Sequence, residues 1–279
     1  MPSRALRPPD TRPPPLARRG SGYARSMSRP LFVAAWFSPW SERARFALDH
    51  HRIDYREEAY VPMLGEPLLR LRTRVFRGPV TVPVLLHDGR VFRDSVEIAR
   101  YTDRLGKGTP LFPASAEAEV TRSVELATGI MEASRALSVS RMARDERLQF
   151  ENLPPSVPAP LRPVFARMGT RFMTRKYRLD VRDLEQDRAT IRRGLEQLRT
   201  ELRGRDTLLS DFTFADIAVA VSLTMLRPVE HPVLPLGPGM RAAFTEPGLA
   251  EEFGDLLAWR DKLYAERRSL QGAAGPAAA

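Results

Sequence analysis

Between residues 31 and 105 the chain runs through short patterns in the order strand, helix, strand, helix, strand, strand, helix, and few folds accept that order. Leu31-Phe32-Val33-Ala34-Ala35 is an apolar run of the kind that forms a buried strand. Ser41 to His50 is helical, with Ala44, Ala47 and Leu48 on one side. Asp54 to Tyr60 is a more polar strand, and Leu68 to Val75 a short helix. Pro83 to Leu86 and Arg90 to Phe92 flank His87-Asp88-Gly89, a hairpin signal because Asp-Gly tolerates the positive φ that tight turns need. Asp94 to Leu105 is a helix ended by Gly106. A βαβ unit joins parallel strands by a right-handed crossover, and the hairpin adds antiparallel ones. The expected product is a mixed four-stranded sheet flanked by helices.

Gly106 to Ser115, with two glycines and two prolines, is a linker, and beyond it the chain turns helical. Val120, Val124, Ala127 and Met131 recur at helical spacing. Ile191, Leu195, Leu198 and Leu202 repeat at steps of 4, 3 and 4, with Glu201 and Arg205 expected to pair on the wet face. Leu153 to Pro163 holds five prolines in eleven residues, so no helix is expected to run through it. It reads as a stiff connector between helices or as a lid over a hydrophobic pocket. The divisions that follow are a tail at 1–29, a mixed α/β unit at 30–106, a linker at 107–115, an all-helical unit at 116–268 and a flexible tail at 269–279.

The net charge of +10 invites a nucleic-acid reading until it is mapped. The first 29 residues carry +6, which leaves +4 for the remaining 250. In the body, arginines are interleaved with acids along helical stretches, as on solvated faces, and no nucleic-acid partner is expected. Residues 1–29 are rich in Pro, Arg and Ser and should be disordered. They lack the apolar segment of a secretory signal, and initiation at Met27 would leave most of them out. No apolar run approaches the roughly 20 residues that span a bilayer. With no cysteine the chain has no disulfide, no thiolate metal site and no thiol nucleophile of its own, and the four histidines are too scattered for a metal pair.

Three short segments carry candidate chemistry. Ser38 precedes Pro39 at a helix start, where it reads as an N-cap followed by a proline at N1. It reads equally as a hydroxyl able to donate to a ligand anion at the helix N-terminus. Ser41, one turn inside, is the rival donor. Val82-Pro83 opens the third strand, a position where proline is tolerated. A cis bond there, present in about 5–6% of such pairs, would turn the Val82 main chain outward to pair with an extended peptide. Asp94-Ser95 starts a helix: Asp94 with Glu97 makes a variant capping box, or Ser95 and the first-turn N–H groups bind a carboxylate while Asp94 takes an ammonium.

In order and spacing these segments resemble serine-type glutathione transferases. Ser38-Pro39-Trp40-Ser41 with Arg43 and Arg45 is similar to the catalytic-serine motif, Val82-Pro83-Val84-Leu85 to the cis-proline strand, and Asp94-Ser95 to the Glu/Gln-Ser pair. Phe212-Thr213-Phe214-Ala215-Asp216-Ile217-Ala218 is similar to the capping box of the helical half, in which Asp216 is structural. The resemblance spans roughly 30–268. It implies a thioredoxin-like N-terminal domain before an all-helical one, and a cytoplasmic, homodimeric detoxification enzyme that uses glutathione as co-substrate and no metal. Ser38 would be catalytic, and Val82, Pro83, Asp94 and Ser95 would bind glutathione. A hydrophobic electrophile would sit between the domains, and its identity and the reaction type stay open. The absence of cysteine excludes the branches of the family that need a protein thiol. Asp94 is shorter than the usual Glu or Gln, and Thr81 stands where many members have a lysine for the glycine carboxylate, a role Arg74 or Arg77 would have to take. The helical half is also longer than typical. These departures motivate the alternative of a catalytically degenerate ligand-binding or scaffold protein.

Overall fold

The computed structural model describes residues 29–151, 153, 157–179 and 182–268, with 150 and 151 described by backbone alone. The tails expected at 1–29 and 269–279 lie outside the described residues, apart from Arg29. The first unit is a four-stranded sheet in the order β2-β1-β3-β4. β1 (Leu31–Ala34) pairs parallel with β2 (Arg56–Ala59) and antiparallel with β3 (Val84–His87), which pairs antiparallel with β4 (Arg90–Phe92). Alternation along β1 builds two cores. Phe32 and Ala34 pack with Leu48 of α1 (Pro39–His50) and Ile98 of α3 (Ser95–Leu105), whereas Val33 and Ala35 pack with Leu69 of α2 (Glu66–Thr73).

The same alternation explains why β2 is polar. It is an edge strand, and its two glutamates pair with helices: Glu57 with Arg45 of α1 at 2.6 Å, and Glu58 with Arg72 of α2. The strand is shorter than the 54–60 expected, and α1 begins at Pro39 rather than Ser41 because Ser38 caps it and proline suits the first turn. Asp88 and Gly89 take φ of 47° and 75°, as the Asp-Gly hairpin requires. Gly106 ends α3 in extended backbone, not in the left-handed region. What it needs is room, since a Cβ there would lie 2.2 Å from the His51 Cβ.

The second unit is all helical: α4 (Glu117–Arg144), α5 (Glu146–Glu151), α6 (Arg162–Lys176), α7 (Leu184–Leu202), α8 (Phe214–Leu223), α9 (Pro238–Phe244), α10 (Pro247–Glu252) and α11 (Gly254–Arg267). The stripe Ile191, Leu195, Leu198, Leu202 of α7 is buried in one core with Val120, Val124 and Ala127 of α4 and the whole of α8. Glu201 and Arg205 do not pair by their side chains. α7 ends at Leu202 and Arg203 is left-handed, so the four-residue spacing no longer faces one side, and Arg205 donates instead to the carbonyls of Glu201 and Leu208. Pro160 and Pro163 lie within a short 3-10 turn and the first turn of α6, where helices accept proline. α6 departs from the interleaving of charge, with five cations and no acid, and draws partners from elsewhere: Arg167 meets Glu146 and Lys176 meets Glu66, each at 3.3 Å.

α1 joins the halves. The fully buried Arg43 donates to Thr128 Oγ1 of α4 at 2.9 Å and to the Ala218 carbonyl of α8 at 3.2 Å, and burial without an acid pushes its guanidinium down to about 9. Arg268, after α11, meets Glu42 at 2.7 Å and Asp49 of α1, all out of water. The linker is pinned as well. Asp103 of α3 accepts from Leu111 N–H at 2.9 Å and Phe112 N–H at 3.0 Å and meets His51 at 2.6 Å. No helix among the described residues is long and apolar enough to cross a membrane, and no group of three or more His, Asp or Glu among them could hold a metal ion.

Candidate functional site

Where β1 ends and α1 begins, a cleft of about 160 Å³ opens between the sheet and the helical unit. Ser38, Thr81 and Val82 wall it from the sheet side, and Arg135 of α4 and Lys176 of α6 wall it from the other. Ser38 is the N-cap of α1, with its hydroxyl oxygen accepting the Ser41 N–H at 3.4 Å. That bond uses a lone pair and leaves the O–H proton for another acceptor. Ser41 is wholly buried, and its hydroxyl oxygen accepts the Ala35 N–H at 3.2 Å. It does not line the cleft.

The Val82–Pro83 bond is cis. The β1–β3 ladder starts at Val84, so the Val82 main chain lies outside it; Val82 lines the cleft and Pro83 is buried. Asp94 and Ser95 do not line the cleft beside Ser38. Asp94 caps α3, one carboxylate oxygen accepting from Val96 N–H at 2.7 Å and Glu97 N–H at 2.9 Å, and Ser95 is buried in the first turn. The reciprocal bond is shifted by one residue, because Glu97 accepts from Arg93 N–H at 2.7 Å rather than from Asp94. In the helical half Asp216 closes its capping box on Thr213 N–H at 2.8 Å and also takes Leu208 N–H at 2.7 Å, wholly buried and remote from the cleft.

Neither Arg74 nor Arg77 reaches the cleft. The cations there, Arg135 and Lys176, come from α4 and α6, and no sequence motif marks either of them. Lys176 is largely buried against Tyr60 and Phe172, and burial pushes its ammonium down although Glu66 at 3.3 Å opposes the shift. The Arg135 guanidinium lies 4.5 Å from the Trp40 ring and 4.0 Å from the Tyr177 ring. No acid among the described residues lies within ion-pairing distance of it, and burial pushes it below the ordinary arginine value. Two buried polar atoms of cleft residues have no partner: Arg135 Nε and the Tyr60 hydroxyl. The 4, 3 and 4 steps of Val120, Val124, Ala127 and Met131 next fall on Ser134, which is buried, so the stripe does not single out Arg135.

A second, apolar pocket of about 130 Å³ adjoins the cleft and shares Phe37, Pro62, Val139, Met142 and Met173 with it. Leu153 and Val157 of the proline-rich segment wall its far side. A polar cleft at a helix N-terminus beside an apolar pocket can hold a small peptide-like ligand next to an apolar one.

Residues 37–105 match the family model described as glutathione S-transferase, N-terminal domain, and residues 181–262 match that of the C-terminal domain. A curated relative, glutathione S-transferase U3 of Arabidopsis thaliana, is 33% identical over 85 residues, 30% of this chain and 36% of that protein's length. A glutathione S-transferase of Methylobacillus flagellatus solved with glutathione bound superposes with TM-score 0.54 at 20% identity, covering 86% of this chain and 96% of that one. One of Methylobacterium radiotolerans in complex with glutathione sulfonate gives 0.56 at 21%, covering 86% and 92%. The glutathione S-transferase Xi of Phanerochaete chrysosporium gives 0.57 at 16%, covering 91% and 83%.

Proposed function

We propose that this chain, which belongs to the glutathione S-transferase family, binds glutathione as thiolate and directs its sulfur at an electrophile in the adjoining apolar pocket. The observation that carries this reading is the Ser38 hydroxyl. Ser38 lines the same cleft as Val82, with its proton uncommitted, while Ser41 is turned inward. Moving a thiol from about 8.5 to about 7 takes roughly 2 kcal/mol. A hydrogen bond to a charged group contributes about 1.5–3 kcal/mol, and the N-terminus of α1 adds about 0.3–1 kcal/mol. One hydroxyl in the right place is enough.

In this reading the cysteinyl main chain pairs with Val82 beside Pro83. The γ-glutamyl end reaches the start of α3, where the Ser95 hydroxyl and N–H meet its carboxylate, the Val96 and Glu97 N–H groups being taken by Asp94, and the unused oxygen of Asp94 meets its ammonium. Lys176 supplies the cation that Thr81 lacks, with Glu66 as its resting partner. The apolar lining of the second pocket favours a hydrophobic electrophile, consistent with detoxification. The reading extends to a cytoplasmic homodimer, for which the exposed Leu68, Leu71 and Phe76 offer an apolar face.

The test is calorimetric titration with glutathione, followed by a pH scan of the bound thiol's ultraviolet absorbance. The expected result is binding with the thiol titrating more than one unit below its free value, and a return toward that value in Ser38→Ala. Absence of binding or of a bound thiolate would instead support the alternative, a ligand-binding or scaffold protein of the same fold, which the short Asp94 and the missing lysine at Thr81 favour.

A further inference from the structure

Arg135 is the one cleft cation without an acid. Lys176 has Glu66 at 3.3 Å, whereas no acid among the described residues lies within ion-pairing distance of the Arg135 guanidinium, and Glu132 acts on it only from farther off. Stacking on Trp40 and Tyr177 engages its π face, but a guanidinium's donors lie in its plane and are not satisfied by rings. Buried donors in native proteins nearly always find a partner, and Arg135 Nε has none. Such an arrangement suits a planar anion that arrives with a ligand.

The position of Arg135 says which ligand. On α4 it is followed at helical spacing by Ser138, Val139 and Met142, all on the cleft wall, and Val139 and Met142 also wall the apolar pocket. One helix face thus presents a cation at one end and an apolar surface at the other. The carboxylates of glutathione have other candidates in the proposed reading, the start of α3 and Lys176.

We propose that Arg135 selects electrophiles that carry a carboxylate or similar planar anion, the anion seated on the guanidinium and the apolar body in the pocket beyond Met142. This deepens the transferase reading and rests on it for the reaction, though not for binding. With an aryl chloride as electrophile, the thiolate sulfur forms a bond to the ring carbon and chloride leaves with the bonding pair, the thiol proton having gone to solvent on binding. No further reactant is needed.

The test uses the full chain and two matched substrates, 4-chloro-3-nitrobenzoate and its neutral amide, each kcat/KM divided by its uncatalysed rate with glutathione. The expected preference for the acid is about 10- to 100-fold, the range of a charge-assisted hydrogen bond. In Arg135→Gln it should fall to about 1 while the glutathione Kd stays within about twofold, and in Arg135→Lys part of it should remain. A preference unchanged in Arg135→Gln, or a glutathione Kd raised tenfold or more, would overturn the proposal, the latter by giving Arg135 to glutathione. Titration with the unreactive pair 3-nitrobenzoate and 3-nitrobenzamide separates the two readings. Acid-selective binding that needs Arg135, without turnover of either chloride, retains this inference and defeats the transferase. Turnover of both chlorides without acid selectivity does the reverse.

Discussion

Ser38 and Ser41 share a hydrogen bond of 3.4 Å but play opposite parts in it. The Ser41 N–H donates to the Ser38 oxygen, and the Ser41 hydroxyl is buried accepting from Ala35 N–H. The helix cap and the proposed thiolate contact therefore use different capacities of one group: Ser38 caps with a lone pair and would donate with its proton. Capping and ligand binding are not rival explanations of that residue.

Ser38→Ala should lower kcat/KM for conjugation about 10- to 1000-fold while glutathione still binds, and cost about 1 kcal/mol of stability through the lost cap. Ser41→Ala should leave the rate within about threefold yet cost about 1–3 kcal/mol by orphaning the Ala35 N–H. Paired kinetics and urea unfolding of the two variants read this out. A Ser38→Ala protein with full rate would move the role elsewhere, with the unpartnered Tyr60 hydroxyl as the next candidate.

Arg268→Met should be among the most damaging changes far from the cleft. It leaves Asp49 without its arginine and Glu42 with Arg45 alone, all out of water. Breaking a buried pair from one side costs about 3–5 kcal/mol. Chemical denaturation against the parent measures it, and a loss below about 1 kcal/mol would mean that the end of α11 does not clamp α1.

Acid should loosen the join between the units through Asp103. Burial draws its carboxyl upward, but the His51 contact and the N–H groups of Leu111 and Phe112 more than offset this and hold it below its ordinary value of 3.8. A carboxyl depressed in the folded state contributes stability that is complete above its unfolded pKa and is lost as pH falls through the folded one. The gap in stability between the parent and Asp103→Asn should be widest near neutrality and narrow below about pH 4. Urea midpoints from pH 3 to 7 test the sign, and a gap that widened in acid would contradict it.

Gly106→Ala should destabilise although the backbone conformation there suits alanine, because the added methyl meets His51. Overpacking of this kind costs about 1–3 kcal/mol. A neutral result in thermal unfolding would show that the His51 ring can move aside.

The proposed dimer has its own test. Leu71 and Phe76 are 65% and 68% exposed, high for large apolar side chains. Replacing both with Asp should shift sedimentation from dimer to monomer with the far-ultraviolet circular dichroism retained. If the parent is monomeric at all accessible concentrations, that apolar face serves something else.

Element order, the Asp88-Gly89 hairpin, the Thr213–Asp216 capping box and the buried stripe of α7 were legible in the residues, because each follows from local dihedral preference or from periodicity within one element. Where local spacing was pushed past the end of an element it failed. The Glu201–Arg205 pairing assumed a helix that stops at Leu202. Sequence position alone favours Ser38 over Ser41; only the tertiary structure decided which cations wall the cleft. Arg135 stands almost a hundred residues beyond Ser38, and Lys176 further still. A single sequence holds no term for a contact at that separation; it arises when α1 and α4 pack into one core and α6 lies against α4, and a side chain's charge then acquires a partner or, as with Arg135, is left without one.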